Sequence, residues 1–272
     1  MNSLQESFLM ASLANDTAML DELVNGSGDL HSLTAKLVFS EIPKDMPISE
    51  VKKKYPHLRQ EAKGYEFCFN YLGNDSTLVA NYGLTPERAK EIYTNYMNGF
   101  SGLKRFQDFR RKDVFDKGYI LISPLTGHKS YIPEMDYIKR ALEKQRKPGF
   151  WVEYKTKKLE NPHDPIVEEV REISKLRSTV EKASGNYVIQ GAGALAYKLA
   201  SIKLFNYLKS NNLLNIVKYC VPVHDEINLE CPKEMAPTIA KVLVQCMEAG
   251  GAPFCTRAKL TADYTIDEHW VH

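Results

Sequence analysis

The ten residues VPVHDEINLE, 221 to 230, constrain this chain more than any other stretch. They are apolar on both sides of the centre, as a buried strand is. Yet His224, Asp225 and Glu226 stand in the middle. An uncharged polar group left unpaired in a core costs ~2–7 kcal/mol, and an isolated carboxylate costs more. Two adjacent acids on such a strand therefore need a cation or hydrogen-bond donors to neutralise them.

A second pattern lies upstream, in RQEAKGYEFCFNY. Arg59, Lys63, Phe67 and Tyr71 are each four residues apart, so successive side chains turn by only about 40° and form one stripe of a helix. The stripe begins with a guanidinium and an ammonium and ends with two aromatic rings. A triphosphate gripped by the cations and a base stacked on the rings would use all four. An amphipathic helix whose aromatics are simply core is the alternative at this point.

The rest of the chain sets the frame. At 272 residues it can bury a core as one large domain or two small ones. No apolar run approaches the ~20 residues of a membrane span, and MNSLQESFLMASLAND lacks a signal peptide's basic start and cleavage site. The expectation is no membrane and a cytoplasmic location, the host's cytoplasm if a bacteriophage encodes the chain. The five cysteines include no C-x-x-C pair and no zinc-ligand spacing, so they are expected to be reduced thiols. Residues 101–160 hold 15 Lys and Arg against 8 Asp and Glu, interleaved with Phe106, Phe109, Tyr119, Tyr131, Tyr137, Phe150, Trp151 and Tyr154. Basic residues among aromatics suit a nucleic-acid surface, with a solvated helical face as the alternative.

Periodicity and turn chemistry predict helices over 4–24, from an Asp29 cap through Phe39, over 59–71, over 85–98 with Thr85 as cap, and over 102–117. A hairpin follows over 118–131, turning at 124–127. Residues 41–58 and 145–165 look like connectors. Helices are expected over 166–183, over 189–209 after a break near Gly185, and over 232–249, with a strand pair around His224–Glu226 and a tail strand over 258–264.

These motifs, in this order, resemble a family A DNA polymerase of the bacterial polymerase I type, in its phage-like branch. The resemblance rests on D-L-H-S at 29–32, the Arg59–Tyr71 helix, GLTPERAKEIYTNYMNGFSGLKRF followed by GYILISPLTGHKSYI, GNYVIQGAGA at 185–194 and the His-Asp-Glu run. It covers nearly the whole chain. It implies an α+β fold, mostly helical with a small antiparallel palm sheet: an incomplete right hand of palm plus fingers. Residues 1–39 would be a palm segment lacking its first strand, 40–140 the fingers, and 141–272 the rest of the fingers and the C-terminal palm.

The resemblance also implies roles. Asp225 would bind catalytic magnesium, with Glu226 a secondary acid and His224 touching the primer end. Arg59, Lys63 and His31 would hold the incoming deoxynucleoside triphosphate, Lys63 also protonating the leaving pyrophosphate. Phe67 would pack on the nucleotide and disfavour dideoxynucleotides, Tyr71 would meet the templating base, and Glu6 would close the sugar pocket against a 2′-hydroxyl. Asn186, Gln190 and Lys182 would contact primer–template DNA, Lys182 standing where the family often has an arginine. Two magnesium ions ~3.5–4 Å apart would neutralise the transferred phosphate, each taking one or two carboxylates.

One family residue has no match. The second metal-binding aspartate opens a D-Y-S-x-Q-E segment, and here Met1-Asn2-Ser3-Leu4-Gln5-Glu6 puts Met1 in its place. A thioether is a poor magnesium ligand. The expectation is an enzyme inactive until an upstream chain with the thumb and first palm strands completes it; a DNA-binding remnant without chemistry is the alternative. A phosphohydrolase using His224, Asp225 and Glu226 is weaker, because the seven histidines do not cluster. Glu66, Cys68 and Leu72 also depart from the family, Leu72 replacing a glycine and restraining its helix end.

Overall fold

In the computed structural model, residues 4–223 and 226–270 are described. Among them the chain is mostly helical, with two small antiparallel sheets. The first half is a helical layer: α1 (Leu4–Ala14), α2 (Thr17–Val24), α3 (Leu30–Val38), α4 (Ile48–Lys54), α5 (Pro56–Asn70), α6 (Asp75–Tyr82), α7 (Pro86–Gly99) and α8 (Ser101–Lys117). A hairpin of β1 (Tyr119–Ser123) and β2 (His128–Tyr131) follows, then α9 (Met135–Gln145) and α10 (Phe150–Glu160). The chain ends with α11 (Pro165–Ser210), the hairpin β3 (Lys218–Val223) and β4 (Glu226–Glu230), and α12 (Ala236–Gly251). No helix among the described residues is long and apolar enough to cross a membrane.

α11 is the spine. At 46 residues it extends about 69 Å, and each third of it buries side chains in a different core. Ile173, Val180 and Val188 join α8, β1 and α9 around Ile120 and Ile138. Ile189, Ala192 and Ala196 close the main core, built on α1 to α8 around Leu9, Phe69, Tyr96 and Phe100. Ala200, Leu204 and Leu208 pack under the β3–β4 hairpin and α12. Gly250 lets α12 lie directly on the spine, where an added Cβ would sit 2.5 Å from the Ala196 carbonyl oxygen.

Several elements differ from the sequence expectations. The single helix over 4–24 is two, broken where Asn15 takes φ 48° and Asp16 turns into a cap. Asp16 Oδ1 accepts from the Met19 N–H (3.1 Å), and Oδ2 accepts from the Gly102 and Leu103 N–H groups (2.7 and 3.0 Å). One buried carboxylate thus caps α2 and α8 together. The expected connectors contain α4 and α10, and α6 is an additional helix started by an Asn74–Thr77 capping box.

The break expected near Gly185 is absent. Gly185 and Gly191 serve packing, because side chains there would meet Leu72 and Ile122. The tail strand over 258–264 is not formed: that stretch is irregular. The expected strand pair around His224–Glu226 is formed, with Val223 and Glu226 in register, though it is not buried as the apolar flanks suggested. Lys218 to Val221 of β3 are all exposed, while Val217, just before β3, and Ile227 on β4 reach the core.

Candidate functional site

Four elements bring the predicted residues together: α5 carries the stripe, α3 flanks its first half, and α1 and α11 meet its C-terminal end. α5 starts well because Pro56 occupies its first position, where no N–H is needed. Its inner face buries Leu58, Ala62, Tyr65, Glu66 and Phe69. That leaves Arg59, Lys63, Phe67 and Tyr71 half-buried along one edge, so the stripe is neither core nor freely solvated.

At the N-terminal end Arg59 is held by a fork. Its Nε and Nη2 donate to Asp29 Oδ2 (2.9 Å) and Oδ1 (2.8 Å), and Nε also reaches Ser32 Oγ (3.2 Å). Asp29 simultaneously caps α3 through the Ser32 N–H (3.2 Å) and accepts from Ser32 Oγ (2.7 Å). Burial alone would raise the Asp29 carboxyl, but the hydrogen bonds from Arg59 and Ser32 outweigh it and hold the carboxyl below its ordinary value. The sequence shows Asp29 as a cap; its grip on Arg59 depends on how α3 lies against α5 and has no local signal.

Midway, His31 Nδ1 lies 2.8 Å from Glu66 Oε2, and Thr34 Oγ1 donates to the same oxygen (3.2 Å). The His31 ring stands 6.2 Å from that of Phe67, and Lys63 Nζ lies 5.9 Å above the Phe67 ring. His31, Lys63 and Phe67 therefore share one edge. Glu66, an apparent sequence oddity, is the buried anchor of the histidine.

At the C-terminal end Tyr71 Oη donates to Glu6 Oε2 at 2.5 Å and is hydrogen-bonded to Gln190 on α11. Burial first, then Glu6, pushes the Tyr71 phenol up to about 12. Glu6, Tyr71 and Gln190, distant in sequence, form one cluster. Two turns back along α11, Lys182 is exposed beside the Cys68 thiol, which burial raises and Lys182 opposes. Asn186, between them, has a buried Oδ1 with no hydrogen-bond partner among the described residues. That free acceptor sits one helical turn from Gln190. Beyond Leu72 a groove of about 820 Å³ opens between α6, α8 and α11, lined by Arg111, Lys112, Arg177 and Lys182 among others.

His224 and Asp225 lie outside the described residues. Glu226 is half-buried at the start of β4. Among the described residues no three His, Cys, Asp or Glu side chains gather for a metal. The donor present there, the Glu226 carboxylate, is an oxygen ligand of the class magnesium takes. β3 is tied to the spine by Tyr219, whose Oη lies 2.5 Å from Tyr197 Oη and 3.1 Å from Ser201 Oγ.

Comparison with known proteins gives a consistent result. Residues 3–272 match DNA polymerase family A. The DNA polymerase I of Borreliella burgdorferi is 25% identical over 263 residues, covering 96% of this chain and 23% of that protein. The DNA polymerase I of Bacillus caldotenax is 26% identical over 262 residues, covering 96% and 24%. This chain thus spans about a quarter of the length of these relatives. Among solved structures, the polymerase domain of Pol1 from M. smegmatis, in complex with DNA primer-template and dNTP, superposes with a TM-score of 0.67 at 22% identity. That match covers 91% of this chain and 35% of the other.

Proposed function

This chain belongs to DNA polymerase family A, and on that premise we propose that it adds deoxynucleotides to a primer 3′ end under the direction of a DNA template. The observation that carries the proposal is the meeting of Glu6, Tyr71 and Gln190 at the end of the Arg59–Lys63–Phe67 stripe. Cations, a ring face and a template-facing polar cluster lie in the order that phosphates, sugar and base follow in a nucleotide. Arg59 leaves Asp29 to take a phosphate, and Lys63 supplies the proton to the departing pyrophosphate. Phe67 bears the sugar and base. Glu6, braced by Tyr71, stands against a 2′-hydroxyl. Asn186 Oδ1 accepts from a base edge, with Gln190 and Lys182 on the same run of α11. Residues 40–140 act as fingers, 1–39 as a palm segment, and 141–272 as the rest of the fingers and the C-terminal palm.

Asp225 would hold magnesium, with Glu226 beside it as a secondary acid; the metal, when bound, neutralises the charge developing on the phosphates. A second carboxylate, which none of the residues matched here to the family's motifs supplies, would come from a further polymerase segment bearing the thumb and first palm strands. The apolar surface left open by Ile202, Phe205, Ile216, Tyr219 and Val221 supports such a partner. A binding-only remnant is the second reading. It is favoured by Arg59 and His31 being already engaged by Asp29 and Glu66.

Primer extension with magnesium separates the readings. The 272 residues are assayed alone, then with Met1→Asp behind a supplied palm–thumb fragment. Extension only in the completed form supports the polymerase; DNA binding without extension in either form supports the remnant. Extension by the 272 residues alone would overturn the need for a second carboxylate.

A further inference from the structure

The helix α10, FWVEYKTKKLE, is absorbed by none of these roles, and its surface is unusual. Gly149, at φ 83°, turns the chain into it, and buried Phe150 pins its first turn. Trp151 stacks edge-on between Phe150 (5.4 Å, 87°) and Tyr154 (5.4 Å, 78°), and Lys158 Nζ lies 5.8 Å above the Tyr154 ring. Even so, Trp151 remains 48% exposed, and Val152 and Leu159 on the same helix are exposed too. Residues 144–158 carry six Lys and Arg against one acid, Glu153. Lys144 and Lys157 have carboxylate partners, Glu169 and Glu160. Arg146, Lys147, Lys155 and Lys158 have none within 4.0 Å among the described residues.

We infer that α10 and the turn before it form a second nucleic-acid site, one for single-stranded DNA, separate from the nucleotide stripe. An apolar protein partner would have to bury four unneutralised cations, which is costly. A duplex presents phosphates but no base faces. Only a single strand offers both a phosphate track for the cations and free bases for the exposed ring. α10 packs on α9 and on α11. Glu169, which anchors Lys144, is 13 residues before Lys182 on that helix, about 20 Å. On the polymerase reading, on which the strand's identity rests, the site lies ahead of the template-reading residues and holds an unpaired strand there.

The chain provides its own reporter, having two tryptophans, Trp151 and Trp270. In Trp270→Phe, the remaining indole is titrated with oligothymidylate, and separately with a duplex of equal phosphate content. The single strand is expected to quench Trp151 fluorescence and the duplex to leave it largely unchanged. Trp151→Ala is expected to weaken oligothymidylate binding, followed by anisotropy of a labelled strand, about tenfold. Lys147→Gln/Lys155→Gln/Lys158→Gln, which keeps the indole, is expected to lower the magnitude of the salt slope by about 2. Equal quenching by duplex, no quenching by either, or a Trp151 signal that changes only with protein concentration would each overturn the proposal, the last marking a contact between copies. Neither titration involves nucleotide addition. Quenching without primer extension leaves this site standing while the polymerase reading falls, and extension without quenching does the reverse.

Discussion

Leu72 fills the space on α11 that a side chain at Gly185 would occupy: a Cβ there would collide with Leu72 Cδ1. Leu72 does so from φ 58°, a left-handed conformation that costs a non-glycine residue roughly 1–2 kcal/mol. It is also buried, which offsets that strain. The end of α5 is thereby pegged to the spine.

This interlock predicts strong coupling between the two positions. Gly185→Ala alone should destabilise the fold by about 1–3 kcal/mol. In a Leu72→Gly background the same change should be neutral or mildly stabilising, since alanine is preferred to glycine in a helix by about 1 kcal/mol. Urea denaturation of the four variants measures the difference. Additive effects would mean the peg contributes nothing.

Asp16→Ala should be among the most damaging single changes. It strands three N–H groups belonging to two helices. With typical capping and unsatisfied-donor costs, the loss should be about 3 kcal/mol or more. Asp16→Asn, which keeps one acceptor oxygen, should recover part of it. If the alanine variant melts within a degree or two of the parent, the double cap is not holding α2 against α8.

The Asp29–Arg59 pair should shape the acid limb of stability. The folded Asp29 carboxyl sits below its ordinary value. Its contribution is therefore complete above the unfolded value, about 4, and is lost as pH falls through the lower folded value. The stability gap between the parent and Asp29→Asn should be constant near neutrality and narrow below about pH 4. A gap that stays unchanged as the pH falls below about 4 would rule out a charged role for Asp29.

Tyr71 should titrate late. Its phenol is raised to about 12 by burial and then by Glu6. It stabilises the fold in full below the ordinary tyrosine value of about 10, and that contribution is lost as pH rises through about 12. Phenolate absorbance of the parent minus that of Tyr71→Phe should show little ionisation at pH 10.5, a half unit past the ordinary value. Repeating the difference in Glu6→Gln should move the transition partway down, leaving the share due to burial. No movement would place the cause elsewhere.

The stripe was legible in sequence because it is local: four-residue spacing fixes a helical edge before any tertiary contact is known. The hairpins and the Asp29 and Thr85 caps were legible for the same reason. What the stripe touches was not. Tyr71 meets Glu6 across 65 residues, and Arg59 meets Asp29 across 30. The single helix over 165–210 was misread as two because glycine is a breaker only when its missing side chain serves the backbone. Gly185 and Gly191 instead make room for Leu72 and Ile122, which no local pattern reveals. The exposure of β3 was hidden too, since alternation cannot say whether a second layer covers a strand.

The uninterrupted spine limits how this chain can vary in length. Lys144 of α9 is tied to Glu169 near the spine's start, Lys182, Asn186 and Gln190 occupy its middle, and the β3–β4 hairpin sits on its final turns. Each residue of a helix adds about 100° of rotation and 1.5 Å of advance. One codon gained or lost between Glu169 and Gln190 would swing everything on one side a quarter-turn relative to the other. Insertions should thus be confined to the turns outside it, such as that at 124–127.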